Sequence, residues 1–322
     1  MVYLIGKGDN LAPRVAYLLA YGFTLAGTLG TRLGKHYIES HYTVEPTGRP
    51  ASRSIRKVLL VGGAGYIGSQ VARDLLAKGY QVRMLDAVLF GDTAIRELYR
   101  NPNFELRIGD FRHVGPVVNA VKGMDAVIHL GAIVGDPACA VDEDETIATN
   151  LAATRLLADI CKAFGVSRLP FASTCSVYGA AEEVVDEQSI LNPVSLYAAT
   201  KIDSEKVLLA ARTREFHPTV LRLATAFGWS HRPRFDLVVN LLTAKAHFEK
   251  KIVIYNGEQW RPFIHVKDIS KAFLMAIDAP LEIVSGQTFN VGDDRLNHTL
   301  TELAGIVADL NPGLEVENVN NS

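Results

Sequence analysis

Short apolar runs alternate with amphipathic stretches along the chain from about residue 56 to residue 223. Val58–Val61 is a continuous apolar run, which is typical of a strand buried on both faces. The same reasoning predicts further strands at Gln81–Asp86, Phe104–Ile108, Ala126–Leu130, Arg168–Ala172 and Thr219–Leu223. Helices are predicted between and after them, notably at Tyr66–Lys78 and Glu145–Phe164. This alternation predicts an α/β fold with a doubly wound parallel sheet and helices on both faces.

Two regions lie outside this alternation. Val15–Thr31 contains no charged residue, and its 17 residues are the minimum for a membrane-spanning helix of roughly 17–25 residues. An extra helix packed on the body or on another protein, a membrane anchor, and a targeting segment all remain open for it. After Ala226 the pattern becomes irregular, which favours a second, smaller lobe. The predicted domains are therefore an N-terminal extension with a linker (1–54), a nucleotide-binding domain (55–225) and a mostly substrate-binding lobe (226–322).

Composition and charge exclude several classes of protein. Hydrophobic residues make up 48% of the chain, so it is not intrinsically disordered. The 33 basic and 35 acidic side chains nearly balance, which argues against a nucleic-acid partner. Cys139, Cys161 and Cys175 are too few and too scattered for a disulfide framework, and no Cys/His spacing predicts a metal site. We expect a cytoplasmic enzyme, with membrane association possible only through Val15–Thr31.

A glycine-rich turn lies between the first predicted strand and the first predicted helix. Gly62, Gly65 and Gly68 stand three apart, as in turns that bring backbone close to a dinucleotide pyrophosphate. The helix that follows would offer its unpaired N–H groups to the phosphates. Asp86 ends the second strand, where a carboxylate accepts hydrogen bonds from a ribose and repels a 2′-phosphate. The turn therefore predicts NAD in preference to NADP.

A tyrosine and a lysine stand four residues apart at the start of another predicted helix. Tyr197 and Lys201 share one helix face. A nearby ammonium favours the phenolate form of a tyrosine, which normally titrates near pH 10. The pair therefore predicts a general acid/base that works near neutral pH.

These residues resemble the extended short-chain dehydrogenase/reductase family, and in particular its NAD-dependent sugar-nucleotide epimerase and dehydratase branch. The resemblance runs from about Lys57 to Leu310 and implies a Rossmann-type sheet with a smaller C-terminal substrate lobe. It rests on motifs in order along the chain, namely the turn 62–68, Gly109-Asp110, His129–Ala132, Asn150, Ser173–Gly179, Tyr197 with Lys201, and Trp260–Val266.

The resemblance implies a role for each matching position. Catalysis is implied for Thr174, Tyr197 and Lys201, and substrate binding for Thr174, Thr225, Arg234 and Arg261. Cofactor binding is implied for Gly62, Gly65, Tyr66, Ile67, Gly68, Asp86, Asp110, Phe111, Leu130, Gly131, Ala132, Asn150, Ser173, Tyr197 and Lys201. Two alternatives stay open: Thr174 could only satisfy backbone groups at a strand end, and Arg261 could form an ordinary surface ion pair.

Departures from the family pattern argue against some of the reactions that the family catalyses. Dehydratases of this family follow the catalytic threonine with an Asp-Glu pair, whereas this chain has Cys175 and Ser176. We therefore predict an NAD-dependent epimerase of a nucleotide-diphosphate sugar. The alternatives are a keto-sugar or carbonyl reductase, and a non-catalytic subunit of a membrane-associated complex. Analogy with relatives also predicts a homodimer through the helices around Glu145–Phe164 and Tyr197–Arg214.

Overall fold

A computed structural model of the chain describes residues 54–180 and 184–319. The helices of these ranges are α1 (Tyr66–Ala77), α2 (Val114–Val121), α3 (Asp136–Cys139), α4 (Glu143–Ile147), α5 (Ala153–Ala163), α6 (Leu196–Ala210), α7 (Val238–Phe248), α8 (Val266–Asp278), α9 (Leu281–Val284) and α10 (Leu300–Asp309). The strands are β1 (Lys57–Val61), β2 (Gln81–Asp86), β3 (Phe104–Ile108), β4 (Ala126–His129), β5 (Arg168–Thr174), β6 (His217–Leu223), β7 (Thr225–Phe227), β8 (Lys251–Tyr255), β9 (Trp260–His265), β10 (Thr288–Val291), β11 (Asn297–Thr299) and β12 (Glu315–Val319).

Seven strands form one sheet in the order β10-β6-β5-β4-β1-β2-β3, and every neighbouring pair is parallel. The order reverses at β1, so the carboxyl ends of β1 and β4 open a crevice at the switch point where such sheets bind ligands. The predicted doubly wound parallel sheet is therefore confirmed.

Strand β1 shows why this sheet has helices on both faces. Val58 and Leu60 contribute to one buried apolar cluster, which includes residues of α1 and α8. Leu59 and Val61 contribute to a second cluster on the opposite face, with residues of α2, α5 and α6. Because successive side chains of a strand point to opposite faces, a continuous apolar run is what burial on both faces requires.

Pro170 lies inside β5, in the centre of the sheet. It has no N–H group, so it cannot donate to a neighbouring strand. The paired residues of β4 and β5 are Ala126 with Arg168 and His129 with Phe171, one on each side of the proline. The pairing of β5 with β6 continues through Pro170. The sheet therefore accommodates the proline by a local gap in the ladder with β4.

The predicted helix Glu145–Phe164 is interrupted. Helix α4 is followed by a π-helical turn at Ala148–Ala152 and then by α5. The π turn contains Asn150, whose carbonyl oxygen accepts hydrogen bonds from the hydroxyls of Thr154 and Ser204. Single π turns within helices are frequent at functional sites, and apolar periodicity alone does not reveal them.

The chain after residue 226 is more regular than its sequence pattern suggests. It supplies β8–β12, and β11, β9 and β7 form a three-stranded sheet beside the two-stranded pair β12-β8. Part of this region returns to the main body, since β10 pairs with β6 and α8 packs on α1. A domain boundary at residues 225/226 stays a prediction.

Within the two described ranges, no helix combines the length and apolar character needed to cross a bilayer. The predictions made for Val15–Thr31 and for the linker up to residue 53 fall outside these ranges.

Phe273 provides a test of the packing of α8 on the sheet. Its side chain is fully buried, whereas Met275 on the same helix is 68% exposed. We expect Phe273→Ala to lower the free energy of unfolding by about 3–5 kcal/mol, because it removes buried apolar area and leaves a cavity. Met275→Ala should change it by about 0.5 kcal/mol or less. Urea denaturation of both variants measures the difference, and equal losses would contradict the packing.

Candidate active site

The glycine turn after β1 approaches the end of β4 too closely for any side chain. Gly62 has φ +75°, and a Cβ added there would lie 2.6 Å from both the Cα and the N of Gly131. A Cβ at Gly68 would lie 2.5 Å from the Cα of Gly63. Both positions therefore require glycine, one for its backbone conformation and one for the packing of α1 on the turn.

Helix α1 begins directly after this turn, with Gly65 as its N-cap. No side chain caps the helix start, and its first turn contains no acidic residue. The first-turn N–H groups are thus left for an anion, and the helix dipole adds a partial positive charge. A dinucleotide pyrophosphate is an anion that such an uncapped helix start can bind.

Asp86, at the end of β2, holds the turn as well as facing the expected ribose position. Its Oδ2 accepts the N–H of Ala64 at 2.9 Å, and its Oδ1 accepts the N–H of Val88 at 2.8 Å. A carboxylate has about four acceptor positions, so both oxygens keep capacity for ribose hydroxyls. The bond to Ala64 is a second role that the sequence did not indicate.

The end of β3 supplies two of the predicted cofactor residues. The Phe111 ring lies against Gly131, where an added Cβ would be 2.8 Å from the ring. Asp110 pairs with Arg112 at 2.6 Å, and this partner holds the pKa of the carboxyl below its usual range. Arg112 also pairs with Glu145 at 2.9 Å. These contacts give the carboxylate of Asp110 a fixed orientation.

Asn150 braces the segment that follows β4. Its Oδ1 accepts the N–H of Ile133 at 2.9 Å, and its Nδ2 donates to the Ile133 carbonyl at 3.0 Å. This clamp follows directly after Leu130, Gly131 and Ala132, so it sets the path of the strand end beneath the expected cofactor. The structure thus places Asn150 in a bracing role, and direct cofactor contact stays a prediction.

Tyr66 ties the first turn of α1 to the segment after β7. Its phenol donates to the carbonyl of Gly228 at 2.6 Å, and the Ser230 hydroxyl donates to the carbonyl of Tyr66 at 2.6 Å. Burial raises the pKa of the Tyr66 phenol, which keeps it neutral. Ile67, the next residue, is half-buried.

Thr174 and Tyr197 meet where β5 and α6 come together. The Thr174 hydroxyl accepts the N–H of Ser176 and donates to the Ser176 hydroxyl, both at 3.1 Å. Helix α6 is capped by Ser195, which places Tyr197 in its first turn. Burial raises the pKa of the Tyr197 phenol well above its usual value, and a hydrogen bond with the Thr174 side chain opposes that rise. The two predicted catalytic hydroxyls are therefore neighbours.

Lys201 lies one helical turn later and is almost completely buried. Its ammonium donates to the Ala172 carbonyl at 2.8 Å and lies 4.7 Å from the Phe171 ring centre. Its Nζ is 5.9 Å from the ring centre of Tyr197. Burial lowers the pKa of Lys201 to about 8, although Cys139 and, to a smaller extent, the charge of Glu205 oppose this shift. Thr174, Tyr197 and Lys201 thus form one cluster.

The other predicted substrate residues come after this cluster in the sequence. Thr225 begins β7 and pairs with Phe263 of β9. Arg234 pairs with Asp236, and its positive charge reaches Tyr197, where it opposes the rise in pKa. These two positions and Arg261 stay predictions as substrate contacts.

Arg261 lies within electrostatic reach of the cysteine beside Thr174. It donates to the Gln259 side chain at 2.9 Å. Burial raises the pKa of the Cys175 thiol, and the charge of Arg261 opposes that rise. The half-buried thiol is therefore neutral near pH 7.

Sequence reasoning assigned no role to several buried polar groups around the cluster. Glu205 and Arg222 form a buried ion pair at 2.8 Å. His129 lies between the rings of Phe111 and Phe171, and burial lowers its pKa to about 3. The position of Glu205, four residues after Lys201 on the same helix face, is a signal that could have found it.

A doubly wound parallel sheet with a backbone phosphate cradle and a buried Tyr–Lys pair defines an NAD-linked enzyme of the short-chain dehydrogenase/reductase class. A comparison with known families agrees, since residues 58–292 match the sequence profile described as the NAD dependent epimerase/dehydratase family. The chain belongs to this family, which confirms the predicted class of enzyme and the NAD cofactor.

Individual relatives are distant but cover most of the chain. The uncharacterized UDP-glucose epimerase YtcB of Bacillus subtilis (strain 168) is 29% identical over 246 residues, which is 73% of this chain and 76% of the relative. The human sterol-4-alpha-carboxylate 3-dehydrogenase (decarboxylating) is 26% identical and covers 80% of this chain and 67% of the relative. A solved structure of MoeE5 in complex with UDP-glucose and NAD superimposes with a TM-score of 0.71 at 29% identity, and covers 83% of this chain and 85% of that one.

Two glycines with similar backbone angles allow a test of the phosphate cradle. Gly62 and Gly79 have φ +75° and +85°, but an added Cβ collides with Gly131 only at Gly62 and meets nothing within 4 Å at Gly79. Both changes to alanine should cost about 1 kcal/mol of backbone strain. We expect Gly62→Ala alone to weaken NAD⁺ binding, by about tenfold or more, as measured by calorimetry. Equal affinities of the two variants for NAD⁺ would contradict the assignment of this turn as a phosphate cradle.

Proposed function

We propose that the protein is an NAD-dependent epimerase of a nucleotide-diphosphate sugar. The observation that carries the proposal is the single cluster of Thr174, Tyr197 and Lys201 at the strand ends that also form the cofactor cradle. Cys175 and Ser176 occupy the two positions where dehydratases of the family have acids. The set of groups therefore suits removal and return of hydride at one carbon without elimination of water.

The proposed reaction begins at a hydroxyl of the sugar. Tyr197 removes the hydroxyl proton, and Thr174 shares the hydrogen bond to the oxygen. NAD, held at the glycine turn and by Asp86, would supply the hydride acceptor and donor for this carbon. The sugar carbon becomes a ketone, and the sugar turns over before the hydride returns to its other face. Tyr197 then gives its proton back to the oxygen, so protons and electrons balance over the cycle.

Lys201 makes this role of Tyr197 feasible. Burial alone would keep the phenol protonated far above neutral pH, since it raises the pKa of Tyr197. An ammonium in the same low-dielectric site stabilises the phenolate. NAD⁺ would add the positive charge of its nicotinamide nearby when bound. The charge of Arg234 acts on Tyr197 in the same direction.

The comparisons support the substrate class. YtcB is named as a UDP-glucose epimerase, and MoeE5 was crystallised with UDP-glucose and NAD. Arg234 and Arg261 supply two guanidinium groups for the diphosphate of such a substrate, which suits the planar fork of arginine. UDP-glucose is therefore the first substrate to test.

A one-way dehydrogenase is the second candidate, and one observation favours it. The human relative is named as a 3-dehydrogenase that acts on a sterol carboxylate, so a similar chain can use a substrate without a nucleotide. An epimerase returns its hydride and leaves the amount of free NADH unchanged. Stoichiometric formation of NADH during turnover would favour the dehydrogenase.

Replacement of the phenol tests the proposed acid/base. We expect Tyr197→Phe to lower the rate of conversion of UDP-glucose into its epimer by about a thousandfold, because general acid/base catalysis contributes on that order. Tyr99→Phe is the matched control, since that ring is 46% exposed and its hydroxyl bonds only to Asp92 among the described residues. Chromatography of the two UDP-sugars measures both rates. The absence of any second isomer with wild-type protein and a panel of UDP- and GDP-sugars would overturn the epimerase proposal.

The titration of Lys201 gives the expected pH dependence. The pKa of Lys201 is about 8, so the ammonium is present below that pH and is lost above it. Loss of the ammonium destabilises the phenolate of Tyr197, so the turnover number should fall as the pH rises through about 8. A pH profile of kcat measures this fall. In Lys201→Met the overall rate should be low and this alkaline fall should be absent; an unchanged alkaline fall would contradict the assignment.

A further inference from the structure

A buried polar network lies next to the cluster of Thr174, Tyr197 and Lys201. The Ser173 hydroxyl donates a hydrogen bond to Oε1 of Glu205. The Glu205 carboxylate also accepts hydrogen bonds from Nε and Nη2 of Arg222, at 3.1 and 2.8 Å. The side chains of Arg222 and Glu205 are only 6% and 3% exposed. None of these three contacts is needed for the proposed proton or hydride transfer.

The cost of burying such a pair is high. Two charges removed from water lose several kcal/mol of hydration each, and their attraction restores this only with good geometry. Apolar residues of similar size are often at least as stabilising in such places. A buried ion pair is therefore weak evidence for stability alone, and its location next to the cluster calls for another reason.

The network fixes the register of α6 against β5. Two adjacent residues of β5 bond to two residues of α6 that are one turn apart. The Ala172 carbonyl accepts Lys201 Nζ at 2.8 Å, and the next residue, Ser173, donates to Glu205. A shift of α6 along the strand would break both bonds together. Thr174 follows on the same strand and Tyr197 precedes on the same helix, so the same register sets their separation.

The network also reaches the neighbouring strands. Arg222 lies on β6 and donates from Nη1 to the Tyr178 hydroxyl at 2.9 Å. Tyr178 then donates to Asn290 Oδ1 on β10 at 2.7 Å. The Asn290 N–H donates to the Glu187 carboxylate at 2.7 Å. Glu205 is thus held by the sheet itself, and it holds α6 in turn.

We propose that Ser173, Glu205 and Arg222 are positioning residues that lock α6 in register with β5 and thereby fix Tyr197 against Thr174 and Lys201. The inference rests on the proposed roles of Thr174 and Tyr197, and it assigns Ser173 to this network rather than to cofactor contact. A misplacement of about 1 Å between reacting groups can reduce a rate by about a hundredfold, so a device that fixes register has a functional effect.

Ser173→Ala is the primary variant, because it removes one hydrogen bond and leaves the ion pair intact. Ser270→Ala is its matched control, since the buried Ser270 hydroxyl also donates to a carboxylate, Asp74, at 2.5 Å and lies on α8 away from the cluster. With NAD⁺ and UDP-glucose, we expect Ser173→Ala to lower kcat by about tenfold with KM unchanged. Ser270→Ala should leave both unchanged, and Ser173→Thr, which keeps the hydroxyl, should restore part of the rate.

Glu205→Gln supplies a readout that a purely structural role would not move. It keeps an acceptor for Ser173 but removes the negative charge that supports the ammonium of Lys201. The alkaline fall of kcat should therefore move to lower pH in Glu205→Gln and stay in place in Ser173→Ala. If Glu205→Gln fails to fold, the comparison of Ser173→Ala with Ser270→Ala still tests the positioning role.

A titration without sugar separates this inference from the proposed function. With carbon-13 in the tyrosine rings and NAD⁺ bound, the signal of Tyr197 is identified by its loss in Tyr197→Phe. Its titration midpoint should rise in Ser173→Ala and in Glu205→Gln, and should not change in Ser270→Ala. No turnover of UDP-glucose by the wild-type protein, combined with these shifts, would remove the substrate proposal and keep the positioning role. Equal titration and equal kcat in Ser173→Ala and Ser270→Ala would overturn the positioning role.

Discussion

The site depends on one lysine ammonium that is held out of water. Lys201 is almost fully buried, bonds to the Ala172 carbonyl and lies over the Phe171 ring. A charge in such a place is unfavourable unless nearby groups compensate for it. The Ala172 carbonyl, the aromatic face and the carboxylate of Glu205 all act in that direction. The same ammonium is the group that can stabilise a phenolate on Tyr197, so its burial connects the packing of α6 with the proposed chemistry.

The parallel sheet brings the remaining groups to the same edge. The glycine turn follows β1, Asp86 ends β2, Gly131 follows β4 and Thr174 ends β5. Carboxyl ends of parallel strands meet at one edge, and the reversal of strand order at β1 opens a crevice there. The close approach of Gly62 to Gly131 leaves no room for a side chain at Gly62. The proposed cofactor cradle and the cluster of Thr174, Tyr197 and Lys201 are thus consequences of one topology.

Sequence patterns predicted the elements of the fold that depend on residues close together in the chain. The strands Gln81–Asp86 and Phe104–Ile108 match the structure, and the glycine spacing located the turn that precedes α1. The π turn at Ala148–Ala152 escaped prediction because apolar periodicity does not reveal such a turn, and it contains Asn150, which clamps Ile133. Strand β10 and the pair Glu205–Arg222 also depend on contacts between distant segments, which periodicity cannot register.

A crystal structure of the full chain with NAD⁺ and UDP-glucose would show whether the cofactor and the sugar meet at the Tyr197 phenol. We expect the pyrophosphate at the glycine turn, and the nicotinamide ring and a sugar hydroxyl beside the Tyr197 phenol, with Lys201 near the nicotinamide ribose. A nicotinamide bound away from Tyr197, or a Tyr197 phenol enclosed by side chains with no access to the sugar, would contradict it.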